Sequence, residues 1–330
     1  MLLNVDDYPF HRMIGSPLTE HMLRPLDPRC HTVQFFSALT NSDYRVLGEW
    51  MQQYPAVTLR AFSFGDNTIK DLDFLRFFPK LEQFTADALY NSLVSLDGLG
   101  YLPEAATYLG IGQTKKKLSL KPLGRFTSLR RLYLEGQTKD INTITELTGL
   151  RHLTLRSITL MDLSLLQPLT GLKALELKLG GTTDLDLLPS IGRLEYLEFW
   201  LVRGLDDVTP ISEVKTLQYL FLQSLKQVTA LPDFSKLPGL HSIWLETMKG
   251  LTDLTPLLAA PALRKLALVN MNHLQPEDVG VLRDHPGLQE LTAGLGSKKK
   301  NDAVGKLVPL PRADSLWPRP DYTAVHDRRR

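Results

Sequence analysis

The chain has 330 residues, 43% hydrophobic and 22% charged, with 38 Lys and Arg against 36 Asp and Glu for a formal net charge of +2. This balance excludes a disordered polar chain, and bulk charge argues for neither nucleic acid nor an acidic membrane surface. The single cysteine, Cys30, excludes an internal disulfide and a cysteine-built zinc cage, so a reducing cytoplasm is the expected setting.

In chain order, residues 1–30 read as a proline-punctuated N-terminal cap, without the basic start and apolar run of a secretory signal. Val33/Phe36/Ala38 offers a first loose copy of an apolar pattern. Residues 42–54 predict a helix behind an N-capping Ser42, with Val46, Leu47, Trp50 and Met51 at helical spacing. Looser copies of the pattern follow at Leu59/Phe62/Phe64, Leu81/Phe84/Ala86 and Ala106/Leu109/Ile111. The pattern then becomes regular, as Leu-x-x-Leu-x-Leu. It fits Leu129/Leu132/Leu134, Leu150/Leu153/Leu155, Leu172/Leu175/Leu177 and Leu194/Leu197/Phe199. It continues at Leu217/Leu220/Leu222, Leu240/Ile243/Leu245 and Leu263/Leu266/Leu268, and weakens at Leu288/Leu291/Ala293. A second helix is predicted over 276–285, opened by Pro276 and the acidic Glu277 and Asp278. The repeat domain spans 31–296. Residues 297–330 form a C-terminal cap or strap, through Leu310, Leu316, Trp317 and Tyr322, and a basic tail. No apolar stretch approaches the roughly 20 residues that a membrane-spanning helix needs.

Along a short strand successive side chains alternate between faces, so the last two leucines of each unit point inward and their flanking residues outward. The returning half of each unit has apolar residues of its own, such as Leu205/Val208/Ile211 and Leu251/Leu254/Leu257. Pro168, Pro210, Pro232 and Pro256 there oppose a long helix. One unit cannot bury its leucines alone; stacked units share a continuous core.

The period and the return at Leu251–Leu257 (LTDLTPL) resemble the leucine-rich-repeat superfamily, in its short form of 22 to 23 residues. The resemblance implies an α/β solenoid: a right-handed horseshoe of about eleven repeats, with a parallel β-sheet on the concave face and an irregular, short-helical convex side. The family usually places Asn three residues after the last strand leucine, where stacked amides satisfy the turn backbone. Gln137, Ile158, Gly180, Val202, Leu225, Met248 and Met271 stand there instead, so those backbone groups need other partners.

In such a fold the outward residues of the strands form a grid on the concave wall. Tyr196, Trp200, Tyr219, Phe221 and Trp244 fall on three adjacent strands, and with strands about 4.8 Å apart they predict one exposed aromatic patch. Trp and Tyr dominate interface hot spots. Glu176, Glu195, Glu198 and Glu246 frame the patch, and Arg130, Arg131, Arg151 and Arg156 make a basic stretch earlier in the array. Partner binding is assigned to Tyr196, Trp200, Tyr219, Phe221, Trp244, Glu198, Glu246, Arg131 and Arg156.

No catalytic chemistry emerges. The eight histidines lack ligand spacing. Cys30 and His31 are sequence neighbours that point apart on an extended chain. Glu176 and Glu198 read as ordinary surface acids. The sequence therefore reads as a monomeric, non-enzymatic scaffold without cofactor, metal or membrane contact. It captures a protein partner on its concave face, as an inhibitor of the immunity type or a regulatory subunit. The alternative is binding of nucleic acid or another acidic ligand through the runs Lys115–Lys117, Lys298–Lys300 and Arg328–Arg330 together with the arginines.

Overall fold

The computed structural model of the chain describes residues 9–63 and 65–313. Leu316, Trp317, Tyr322 and the terminal arginines lie outside the described residues, as does Phe64. The chain divides into two compact units, Met1–Leu150 and Arg151–Arg330.

The first unit holds strands β1 (His11–Met13), β2 (Thr32–Phe35), β3 (Thr58–Ala61), β4 (Gln83–Ala86), β5 (Tyr108–Ile111) and β6 (Arg131–Glu135). Each pairs in parallel with the next. The second holds β7 (His152–Arg156), β8 (Ala174–Lys178), β9 (Tyr196–Trp200), β10 (Tyr219–Gln223), β11 (Ser242–Glu246), β12 (Lys265–Val269) and β13 (Glu290–Ala293). These too run parallel, in chain order. The described residues thus carry thirteen strands where the leucine count predicts about eleven repeats. One of the additions is β1, inside the segment read as an irregular cap.

Alternation along the strands gives each unit its core. Leu197 and Phe199, Leu220 and Leu222, and Ile243 and Leu245 are fully buried on the inward side. Short 3-10 turns such as Thr209–Glu213 and Thr255–Ala259 close each return, with Pro210 and Pro256 in their first turns. The core of the first unit is more aromatic: Phe74 stands 5.3 Å from Phe35, 5.0 Å from Tyr44 and 6.1 Å from Phe84, centroid to centroid.

The early repeats differ in register from the sequence reading. Val33 pairs with Leu59, and Leu59 with Phe84, so the buried pairs are Val33/Phe35 and Leu59/Ala61. Leu59 therefore occupies the second apolar position of its unit, not the first. Phe62 and Phe64 drew the pattern three residues too far, although Phe62 is buried just past the strand's end.

Helix α1 (Asn41–Met51) starts one residue before the predicted cap: Thr40 Oγ1, not Ser42, accepts the Asp43 backbone N–H at 3.1 Å. Its buried face is Tyr44, Leu47, Gly48 and Met51, while Val46 is exposed and Trp50 half-buried. Gly48 is where α1 meets the next return; a Cβ there would stand 2.0 Å from the Phe77 carbonyl oxygen. The predicted second helix is α2 (Pro276–Gly280) followed by the 3-10 turn Val281–Asp284. The lysine run at 298–300 opens α3 (Lys298–Leu307), whose N-cap Ser297 accepts the Lys300 N–H at 3.2 Å. Residues 311–313 then run beside β13: Leu291 N–H donates to the Pro311 carbonyl at 2.9 Å and Thr292 Oγ1 to that of Ala313 at 3.2 Å. No helix among the described residues is long and apolar enough to cross a membrane.

The turn groups that lack an amide ladder are satisfied in three ways. Gln137, fully buried, does the work of a missing Asn for the turn of the preceding repeat. Its Nε2 donates to the Gly112 carbonyl at 2.9 Å and to Thr114 Oγ1 at 2.7 Å, and its Oε1 accepts the Leu118 N–H at 2.8 Å. In the second unit the residue after each of β7–β11 turns left-handed, with φ between 50° and 56° at Ser157, Leu179, Leu201, Ser224 and Thr247. Each then donates its N–H to the last residue of the next strand, as Leu201 does to the Gln223 carbonyl at 2.8 Å. Finally an acidic side chain opens several returns by accepting an N–H two residues on: Asp162 from Ser164, Asp207 from Thr209, Asp253 from Thr255, at 2.8–2.9 Å. Gly180, at one of the expected Asn positions, is required sterically, since a Cβ would stand 1.9 Å from the Ile158 carbonyl oxygen.

Candidate functional site

The side chains flanking the inward leucines of β7–β13 make the outward face of the second unit. Strand register places Tyr196 beside Tyr219, Phe221 between Glu198 and Trp244, and Gln223 between Trp200 and Glu246. The aromatic residues do come together. Phe221 and Trp244 stack at 5.8 Å with 17° between ring planes, and Tyr196 and Tyr219 lie 6.3 Å apart. Tyr219 also meets the His241 ring edge-on at 4.4 Å.

Outward direction does not mean exposure, and here the prediction needs correction. Tyr196 and Glu198 are each only 1% exposed. Trp200, Tyr219, Phe221 and Trp244 remain half-buried, so the accessible part of the patch is these four rings. The parallel ladder holds neighbouring outward side chains so close that long ones cover one another.

Beside the rings, on β7–β9, lies a buried polar chain. His152 Nε2 meets Glu176 Oε1 at 2.7 Å; Lys178 Nζ bridges Glu176 Oε2 at 2.5 Å and Glu198 Oε1 at 2.9 Å. Tyr196 Oη donates to Glu198 Oε2 at 2.7 Å. His152, Glu176, Lys178 and Glu198 are 5% exposed or less. Glu176 and Glu198 are therefore not surface acids but two buried carboxylates sharing one ammonium. Burial works to raise the Glu176 carboxyl, but the hydrogen bond and charge of His152, then those of Lys178, more than reverse it. The group ionises well below the usual carboxylate range. Neither His152 nor Lys178 stands among the residues predicted for the site, although their signal was present. Opposite charges recur on neighbouring strands in adjoining outward columns.

The acids at the rim differ from one another. Glu195 pairs with Lys173 at 2.7 Å and Glu290 with Lys265 at 2.9 Å. Glu246 is held by neutral donors, Gln223 Nε2 on one oxygen and Trp244 Nε1 on the other, both at 3.0 Å. The arginines do not make a bare basic stretch. Arg156 lays its guanidinium over the Trp200 ring at 5.1 Å, and Arg151 donates to the Gly171 carbonyl at 2.7 Å. Arg130 and Arg131 belong to the first unit. There Arg130 donates to the Gly149 carbonyl at 3.1 Å, and Arg131 lies over the Tyr108 ring at 4.7 Å. One lysine of each described run is engaged: Lys117 donates to the Gly136 carbonyl, and Lys300 to the carbonyls of Asn272 and Leu274 at 3.0 and 2.8 Å, while Lys115, Lys116, Lys298 and Lys299 are exposed. Among the described residues no three His, Cys, Asp or Glu side chains gather as a metal site.

No protein-family model and no curated protein matches the chain. Solved structures do. An internalin (inlF) of Listeria monocytogenes is 20% identical with a TM-score of 0.50, over 72% of this chain and 74% of its own. A chain from the yeast complex of Rad7 and Elc1 is 16% identical, also with a TM-score of 0.50, over 82% of this chain and 78% of its own. A leucine-rich-repeat protein of Leptospira interrogans is 17% identical over 87% of this chain, with a TM-score of 0.43. With the repeating parallel ladders, the two likenesses at a TM-score of 0.50 decide the architecture. The fold is that of the leucine-rich-repeat proteins. As in any leucine-rich-repeat array, each unit is one strand and its return, and what varies along it is the outward grid.

Proposed function

We propose that this leucine-rich-repeat protein is a non-enzymatic scaffold that captures a protein partner on the outward face of β7–β13. The observation that carries the reading is the group of four half-buried rings, Trp200, Tyr219, Phe221 and Trp244, flanked on β7–β9 by a buried, ion-paired row of side chains. Rings fixed in this way lose little freedom on binding, and aromatic anchors in a desolvated centre are where binding energy concentrates. Arg130, Arg131, Arg151 and Arg156 are engaged with carbonyls and rings, which leaves them less available for tracking a phosphate backbone and favours protein over nucleic acid on this face. The fold also occurs within a two-protein complex in yeast. Cytoplasmic residence and an inhibitory or regulatory role are part of the proposal.

Affinity capture from lysate tests it, with wild type beside the Phe221→Ala/Trp244→Ala variant and a control altered at the exposed Met161. A defined protein held by wild type and control, and lost with the double variant, is the expected result. Equal capture by all three would remove the aromatic face from the function.

A further inference from the structure

We infer that the partner presents an arginine side chain to Glu246, with the guanidinium seated against the Phe221–Trp244 stack. The inference rests on the protein-binding reading above and adds the chemistry of the anchor. Among the paired acids of this face, Glu176 and Glu198 share Lys178, Glu195 has Lys173 and Glu290 has Lys265, all within 3.0 Å. Glu246 alone of these is held by neutral groups, the Trp244 indole N–H and the Gln223 amide.

Those two bonds orient the carboxylate without neutralising it. Each oxygen accepts one of them at 3.0 Å and keeps a further lone-pair direction, so a guanidinium fork can still be received. The Trp244 ring that donates to Glu246 also stacks on Phe221 at 5.8 Å, which sets π-faces beside the anion. The same face already seats a cation in this manner: Arg156 lies 5.1 Å from the Trp200 ring centroid. Glu246 sets a carboxylate beside the Phe221–Trp244 stack and so adds an anion to a π-face of the kind that Arg156 uses. Arginine fits better than lysine because its planar fork matches a carboxylate and lies flat on rings.

The Trp244 indole N–H reports directly on this place. Its 1H–15N resonance, assigned through Trp244→Phe, is followed in the full-length protein while N-acetyl-arginine amide is added. N-acetyl-citrulline amide serves as the neutral isostere. The expected result is a saturable shift with the arginine compound, weaker by about tenfold or more with citrulline and with Glu246→Gln, the size of one charge-assisted contact. Unchanged thermal unfolding of Glu246→Gln keeps that comparison clean. Equal shifts with both compounds, or none, would overturn the inference while leaving protein capture by the rings standing. A resonance that moves in the ligand-free chain when Arg328, Arg329 and Arg330 are changed to glutamine would also overturn it. The anchor would then be the chain's own tail.

Discussion

Lys178 holds two carboxylates out of water at once, Glu176 at 2.5 Å and Glu198 at 2.9 Å, and is itself only 5% exposed. Removing one member of such a buried pair leaves the other charges without compensation, which costs more than the pair contributes. Lys178→Met is therefore expected to destabilise the protein by about 3–5 kcal/mol in urea unfolding. A loss below about 1 kcal/mol, the worth of an exposed pair, would mean that the cluster is open to water. Glu176 adds a pH dependence. Its folded carboxyl ionises more readily than an unfolded one, so its stabilising contribution is full above the ordinary glutamate range. It is lost as the pH falls below that range toward the depressed folded value. Acid titration of the unfolding midpoint should show Glu176→Gln less sensitive than wild type across that window; identical profiles would contradict the assignment. The opposite charges were legible in the sequence, but their burial was not. Alternation along a strand tells which way Glu176, Tyr196 and Glu198 point, but exposure depends on what the neighbouring strands place beside them. Lys178 and Tyr196 are long enough to close over both acids.

At the scale of the element, the repeat is a strand, a left-handed turn residue and an acid-capped return. The leucine pattern located the strands because two inward residues per unit must be apolar. It slipped by three at β3, where Phe62 is also buried and competes as a pattern residue. The turn chemistry was less legible, because φ near +54° is tolerated here by Leu, Ser and Thr and leaves no glycine signature. Thr247 is the most strained of these, being β-branched at φ 54°. Thr247→Gly should relieve that conformation and raise stability by about 0.5–1 kcal/mol net, after the entropy glycine loses on folding. Calorimetry would check it. A stability loss as large as the expected gain would mean that the Thr247 side chain does more for the turn than its backbone costs.

For the molecule as a whole, stacking of identical scaffolding frees the outward positions to differ, and the second unit uses them unevenly. Its early strands carry the buried ion-paired chain, and β9–β11 carry the rings and Glu246. The aromatic group could be read from sequence because its members recur in equivalent positions one repeat apart. Its true accessible extent could not, since Tyr196 is consumed by Glu198. The central claim is that the four half-buried rings hold a protein. Its most direct test is the dissociation constant of the captured partner for wild type and Trp244→Ala, at low and high salt. The account predicts a loss of about 2 kcal/mol or more, roughly thirtyfold, on removing the ring, and little change with salt for wild type. An affinity indifferent to Trp244 and falling steeply with salt would contradict it, and would move the binding to the basic loops.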